Sequence, residues 1–150
     1  MYERILIAVD GSNTSELAMQ KAVKLATGHP SQLRIVHVVD VKMRFGEASD
    51  FANKGDLEKA LVESGKQVLQ KAAAATAGNV GIKVATKLLE IEDFSQRVAE
   101  MIVGEATAWP AELVVLGTHG RRGLNHLFLR GVAEGIVRIS PVPVLVIPGK

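Results

Sequence analysis

The sequence predicts a doubly wound α/β fold, a three-layer sandwich in which four helices cover both faces of a five-stranded parallel sheet. Two patterns predict it: short apolar runs rich in β-branched residues, typical of strands buried on both faces, and segments of helical periodicity that alternate with them. The resulting order is β-α-β-α-β-α-β-α-β. The chain has 150 residues, the size of one domain with one core, so we expect a single domain over residues 1–150.

The chain opens with a predicted core strand that is followed by a helix. Ile5–Val9 is a continuous apolar run and predicts the strand. After a turn that begins at Asp10, the helix follows, with Thr14 or Ser15 as its N-cap and an end near Gly28. The apolar face of this helix consists of Ala18, Ala22, Leu25 and Ala26.

The next strand, helix and strand repeat this pattern. Leu33–Val39 predicts the second strand, and the partly alternating Ile82–Leu89 predicts a third strand toward an edge of the sheet. Asp40–Asp56 shows no clear period, and a loop of that length is either a lid or partner-facing loop or a disordered connector. The second helix stops at Gly78. Its apolar face consists of Leu57, Ala60, Leu61, Val68, Ala72 and Ala75.

The second half of the chain supplies the last two helices and strands. Asp93–Gln96 resembles a capping box and predicts the start of the third helix, which runs toward Trp109. Leu113–Leu116 predicts the fourth strand and Val142–Ile147 the fifth. The apolar face of the third helix consists of Phe94, Val98, Met101 and Ile102, and that of the fourth consists of Val132, Ile136 and Ile139.

Composition argues against several classes of function. Eighteen Lys and Arg against sixteen Asp and Glu give a net charge of only +2, so nucleic acids and membrane surfaces are not expected partners. The chain has no cysteine, which excludes disulfides, thiolate-ligated metals and a cysteine nucleophile. No apolar run is long enough for a signal peptide or a membrane helix, so we expect a soluble, cytoplasmic protein.

Ligands of open parallel sheets bind beyond the carboxyl ends of the strands, and three such ends carry candidate residues. They are Asp10, Val38–Asp40 and the glycine-rich Gly117–Gly123. The glycines would allow a positive φ and a close approach of backbone N–H groups to an anion, and Arg121 and Arg122 add charge. Further along the chain a helix is expected to open with Gly131 as its N-cap and Arg130 just before it, and its N-terminus also favours a phosphate. These features predict a polyphosphate site; alternatively, the glycines only form a turn and the arginines only a solvated surface.

Other common site motifs are missing. The sequence has no P-loop, no dinucleotide fingerprint, no nucleophile elbow and no zinc-protease motif. The four histidines share no ligand spacing with carboxylates, which argues against a metal site built from protein side chains. His37 lies in a predicted strand and is expected to be a hydrogen-bonded core residue, whereas His119 lies in the glycine-rich loop.

Four segments together resemble the universal stress protein family: Ile5–Ser12, His37–Asp40, Leu116–Gly120 and Pro143–Val146. The resemblance covers almost the whole chain. ATP-binding members of that family carry the motif G-x2-G-x9-G-[ST] after the fourth strand. This chain fits the motif from Gly117 up to the final pair, where it has Arg-Gly instead.

The resemblance implies a strand order of 3-2-1-4-5 and an adenine nucleotide site at the carboxyl end of the sheet. Ala8 and Val38 would then contact adenine, Asp10 would hold the ribose or a Mg²⁺ ion carried by ATP, and the glycine loop would bind phosphates. An apolar fifth strand, Val142–Ile147, at the sheet edge predicts a homodimer formed through that strand. The candidate cofactor-binding residues are Ala8, Val9, Asp10, Val38, Gly117, Thr118, His119, Gly120, Arg121, Arg122, Gly123, Arg130, Gly131 and Val132.

These expectations lead to a stress-response protein that binds an adenine nucleotide and acts through binding to a regulatory protein partner. The sequence offers no nucleophile and no clear general acid–base pair beside the phosphate site, so we expect no enzyme activity beyond slow ATP hydrolysis. The alternative is a dimeric interaction module without nucleotide, whose altered phosphate loop is only structural.

Overall fold

The computed structural model describes residues 2–40, 54–91, 97–118 and 130–149. Strands and helices alternate in the predicted order throughout these residues. The strands are β1 (Arg4–Ala8), β2 (Ser31–Asp40), β3 (Ile82–Ile91), β4 (Leu113–Gly117) and β5 (Val144–Ile147). The helices are α1 (Asn13–Ala26), α2 (Lys54–Ala74), α3 (Val98–Ala108) and α4 (Arg130–Ile139).

All five strands are parallel and lie in the order β3-β2-β1-β4-β5, which confirms the predicted fold class and strand order. β1 is the central strand, and Ala8 at its end lies beside Val36 of β2 and Leu116 of β4. The order of the strands reverses between β1 and β4. This reversal is the topological switch point at which parallel sheets open a crevice.

Two apolar clusters cover the two faces of the sheet. Alternate residues of β1 point into different clusters: Leu6 packs with residues of α3 and α4, and Ile7 packs with residues of α1 and α2. Both side chains are fully buried. Burial on both faces explains why β1 is apolar from Ile5 to Ala8 and does not alternate.

The start of α1 differs from the prediction. Ser12 is the N-cap, and its side chain accepts a hydrogen bond of 3.3 Å from the backbone N–H of Ser15. Thr14 and Ser15, the predicted caps, lie within the helix and are buried. The prediction was wrong because three hydroxyl residues lie within four positions, and only the turn geometry selects the first of them as the cap.

The start of α3 also differs from the prediction. Arg97 holds the N-cap position of α3 without a side-chain hydrogen bond, so the prediction that α3 starts at Asp93 is wrong. Residues 92–96 lie outside the described part of the chain, as does most of the predicted lid or connector, at residues 41–53.

The two edge strands differ in exposure. β3 lies at one edge, as predicted, and much of its first half is exposed. β5 lies at the other edge, and all four of its residues are half-buried. In the described ranges, no helix has both the length and the apolar character needed to cross a membrane.

The strand starts are joined at the opposite end of the sheet from the crevice. The Glu112 carboxylate, just before β4, accepts backbone N–H bonds from Glu3 at 2.6 Å and from Arg4 at 3.1 Å. The Arg4 side chain donates a 2.7 Å bond to the carbonyl of Pro110. These bonds fix the start of β1 against β4.

Candidate functional site

The crevice lies where β1 and β4 end side by side. Ala8 pairs with Leu116, so Asp10 and Gly117 follow at neighbouring strand ends. The connection after β1 leads to α1 on one face of the sheet, and the connection after β4 leads to α4 on the other. Because α4 leads back to the start of β5, its N-terminus also lies at this end of the sheet.

Asp10 shapes the turn that leaves β1. The side chain is buried, and one carboxylate oxygen accepts the backbone N–H of Ser12 at 2.8 Å. Gly11 between them has φ +86°, a conformation that side chains rarely adopt. An ionised carboxylate has room for about four hydrogen bonds, so the turn leaves Asp10 capacity for a ligand.

Gly117 has a packing role that the sequence analysis did not anticipate. A Cβ atom at this position would lie 2.8 Å from the C, Cβ and O atoms of Thr14 in the first turn of α1. The expectation of a positive φ is wrong for Gly117, which is not among the described glycines that have one. A residue without a side chain is required here because α1 lies directly against the end of β4.

The first turn of α1 is therefore part of the crevice wall. Thr14 is 1% exposed, and its hydroxyl has no hydrogen-bond partner within the described residues. Beyond Gly117, Thr118 donates its backbone N–H to the Ile147 carbonyl of β5 at 2.9 Å. The end of β4 is thus fixed on both sides, by α1 and by β5.

Arg130 and Gly131 lie within α4. The expectation that Gly131 caps the helix and that Arg130 precedes it is wrong, since the helix spans Arg130–Ile139. Gly131 is exposed, and a Cβ atom there would meet nothing within 4 Å. Val132 is half-buried against the core on the α3 and α4 side. Backbone N–H groups in the first turn of a helix lack intrahelical partners and favour anions.

The side chains predicted to contact adenine are buried near the carboxyl ends of β1 and β2. Ala8 and Val38 are buried in the core on the α3 and α4 side, with 0% and 1% of their surface exposed. Val9 donates its backbone N–H to the carbonyl of Val36 at 2.9 Å, so β1 remains paired up to the residue before Asp10. The backbone at this end of β1 is therefore fixed in the sheet.

His37 is a core histidine, as predicted, and it also supports the site. Its Nδ1–H donates to the Val9 carbonyl at 2.8 Å, and the ring is 6% exposed. Burial lowers the pKa of His37, an effect that the Val9 hydrogen bond and the charge of Asp10 only partly offset. A neutral imidazole therefore fixes the backbone of Val9, the residue before Asp10. This hydrogen bond could not be predicted from the sequence.

The central part of the predicted phosphate site lies outside the described residues. It comprises His119, Gly120, Arg121, Arg122 and Gly123, and the side chain of Arg130 is also not described. Within the described ranges, no group of three or more His, Asp or Glu side chains could hold a metal ion.

This fold and crevice define a class of doubly wound α/β proteins with a ligand site at the switch point of the sheet. Within that class, the model of the universal stress protein family matches residues 1–148 of the chain. The chain belongs to the universal stress protein family.

Individual relatives agree with this assignment. A universal stress protein of Methanocaldococcus jannaschii is 31% identical over 147 residues, which cover 98% of this chain and 82% of the relative. The crystal structure of a family protein from Burkholderia pseudomallei is 31% identical, covers 98% of this chain and 96% of its own, and superposes with a TM-score of 0.75. The Archaeoglobus fulgidus universal stress protein in complex with dAMP has a TM-score of 0.65 at 21% identity, with 97% of this chain and 98% of that chain covered.

Proposed function

We propose that this chain is a cytoplasmic stress-response protein that binds an adenine nucleotide, ATP with Mg²⁺, in the crevice at the switch point. It acts through dimerisation and through binding of a regulatory protein partner, with no enzyme activity beyond slow ATP hydrolysis. The observation that carries the proposal is the placement of Asp10 and Gly117 at neighbouring strand ends, near the N-terminal end of α4. A carboxylate for hydroxyl groups or Mg²⁺ and free N–H groups for phosphates then face one crevice.

Each part of the nucleotide has a counterpart in the crevice. The adenine ring would lie at the carboxyl ends of β1 and β2, near Ala8, Val9 and Val38, and the free hydrogen-bonding capacity of Asp10 suits the ribose hydroxyls or Mg²⁺. The phosphates would meet the backbone N–H groups of Arg130, Gly131 and Val132 in the first turn of α4. The Thr118 backbone N–H is already bonded to the Ile147 carbonyl, so Thr118 would contribute through its side chain.

The nucleotide complex of the Archaeoglobus fulgidus protein supports adenine nucleotides as the first ligands to test. That protein shares only the fold with this chain at the level of its identity, so the proposal depends on the crevice described above. The alternative function is a dimeric interaction module that binds no nucleotide. It is favoured if calorimetry detects no binding of ATP or AMP at millimolar concentration in the presence of Mg²⁺.

Replacing Asp10 tests the proposal directly. Asp10→Asn keeps an oxygen that can accept the Ser12 N–H, but it removes the charge that would attract Mg²⁺. We expect roughly tenfold weaker ATP binding in Mg²⁺, by calorimetry, with a melting temperature close to that of the native chain. Asp10→Ala should lose both the ATP affinity and about 1 kcal/mol of stability, because the turn also loses its acceptor.

The pair of Asp10 variants separates a ligand role from a purely structural one. If Asp10→Asn binds ATP as tightly as the native chain while Asp10→Ala only melts earlier, Asp10 belongs to the turn alone. That outcome would remove Asp10 from the nucleotide site.

Dimerisation through β5 is the second part of the proposal. Four consecutive half-buried apolar residues at a sheet edge invite pairing with a second copy of the chain. We expect Val144→Lys or Val146→Lys to convert a dimer into a monomer in light scattering at micromolar concentration. Thr86→Lys, at an exposed position of the other edge strand, is the matched control and should leave the dimer intact. A native chain that is already monomeric under these conditions would contradict this part.

A further inference from the structure

Part of the sheet on the α3 side is not covered by a helix. On this face β3 presents Lys83, Ala85 and Lys87, and all three residues are exposed. Leu89 and Ile91 further along the same face are buried in the core. The core on this side therefore covers β3 only from Leu89 onward, which is unusual for a parallel sheet, whose two faces are normally covered.

The neighbouring strand extends this uncovered area. The register of β2 and β3 places Gln32 beside Lys83 and Arg34 beside Ala85. Gln32 is exposed, and the Arg34 guanidinium lies 4.8 Å from the centre of the Trp109 ring. We call Arg34, Lys83 and Lys87 together the basic face.

Among the described residues, one acidic side chain, Glu105, forms ion pairs with the basic face. Glu105 is buried at the base of the basic face, where its carboxylate binds Arg34 at 2.6 Å and Lys87 at 2.9 Å. Lys83 forms no ion pair with any described residue. Three cations against one acid leave local positive charge on a chain whose total net charge is only +2.

The basic face adjoins an open edge of the sheet. β3 pairs with β2 over all ten of its residues, and within the described ranges it pairs with no other strand. Its outer edge therefore carries backbone N–H and C=O groups without strand partners. Lysines on such an edge discourage pairing with a second copy of the same strand, because like charges would face each other.

We propose that the basic face and the free edge of β3 form a docking surface for an extended acidic segment of another protein. The segment adds to the sheet as a sixth strand, and carboxylates at alternate positions lie on the α3 side, next to Lys83 and Lys87. Backbone pairing supplies affinity, and the charges select an acidic partner over a second copy of this chain. The surface lies at the starts of β2 and β3, away from the crevice at their carboxyl ends, so the inference does not depend on nucleotide binding.

The test uses a fluorescently labelled hexapeptide of alternating Glu and Val with blocked ends. We expect its anisotropy to rise on titration with the full chain, and the affinity to fall as the NaCl concentration is raised. Trp109, the single tryptophan of the chain, should change its emission on binding because Arg34 stacks on it. Lys83→Glu should weaken binding about fivefold or more. Lys21→Glu is the matched control, since Lys21 is exposed on α1 at the other face of the sheet, and it should bind the peptide like the native chain.

Backbone pairing is tested with two peptides that are N-methylated at alternate residues. A peptide that pairs as a strand tolerates methyl groups on its outer edge and not on the edge facing β3, so one of the two should bind and the other should not. Equal binding of both peptides, or equal binding by Lys83→Glu and the native chain, would overturn the proposal. So would the absence of binding at millimolar peptide, or displacement of the peptide by a single-stranded oligonucleotide.

Discussion

Gly117→Ala is expected to lower the free energy of unfolding by about 1–3 kcal/mol, the usual cost of forcing an extra methyl group into a closely packed site. The new Cβ would lie 2.8 Å from the C, Cβ and O atoms of Thr14. The C and O atoms belong to the backbone of α1, and the Cβ atom is bonded directly to that backbone. None of the three can rotate away like the end of a flexible side chain. Either α1 or the end of β4 must therefore move.

Urea unfolding followed by circular dichroism measures this effect, and Gly104→Ala is the matched control. Gly104 lies in α3, and a Cβ atom there would meet nothing within 4 Å. Because alanine favours a helix over glycine, Gly104→Ala should raise the free energy of unfolding by about 0.5–1 kcal/mol. If Gly117→Ala unfolds at the same urea concentration as the native chain, α1 does not lie against β4 as described.

Gly117→Ala should also affect nucleotide binding if the proposed site is correct. A shift of α1 away from β4 would displace Ser12, and with it the hydrogen bond that holds Asp10. We therefore expect weaker ATP binding in this variant, even at temperatures where it remains folded.

The second large effect is expected at Glu105. Removing its carboxylate with Glu105→Gln leaves two cations beside each other, and we expect a loss of about 1–3 kcal/mol at neutral pH. The expected loss of stability is smaller than for a fully buried ion pair, because Lys87 is half-exposed and Arg34 is partly exposed.

This loss should depend on pH. Burial by itself raises the pKa of Glu105, but hydrogen bonds from Lys87 and Arg34, together with their charges, outweigh burial and hold the pKa below its ordinary value of 4.5. A carboxylate with a lowered folded-state pKa stabilises the fold fully above its ordinary pKa and loses that contribution as the pH falls through the folded value. The stability difference between the native chain and Glu105→Gln should therefore be largest near pH 7 and shrink below pH ~4.

Urea unfolding of both chains across this pH range measures the difference. A difference that stays constant down to pH ~3 would mean that the charge of Glu105 does not contribute, and that only its shape matters. Glu100→Gln in the first turn of the same helix is a control, because Glu100 is exposed and forms no ion pair with any described residue.

The general fold could be predicted because its signals are local in the sequence. β1 is apolar from Ile5 to Ala8 since both of its faces are buried there, and β3 alternates in part because some of it meets solvent. This partial alternation predicted that β3 lies at an edge of the sheet, and the strand order confirms it. Cap positions depend on backbone angles that no local pattern fixes, which is why Ser12 and Arg97 were missed.

The parts that could not be predicted depend on contacts between distant residues. The space that Gly117 needs is set by the position of Thr14, and the Glu105 cluster joins residues from β2, β3 and α3. Asp10 could be identified as a candidate because it follows an unmistakable core strand. Its ligand role stays a prediction, as do the roles of His119 and the glycines and arginines that follow it.

The central position of β1 has a consequence for synthesis on the ribosome. β1 is made before the other four strands, yet its second edge is paired only when β4 is present. The Glu112 bond to the N–H of Arg4 joins residues 108 positions apart. Until then one edge of an apolar strand is open in the nascent chain, which is the kind of segment that aggregates or recruits chaperones. Such long-range pairing also slows folding. We therefore expect the native sheet to form only after β4 has left the ribosome, in one late cooperative step.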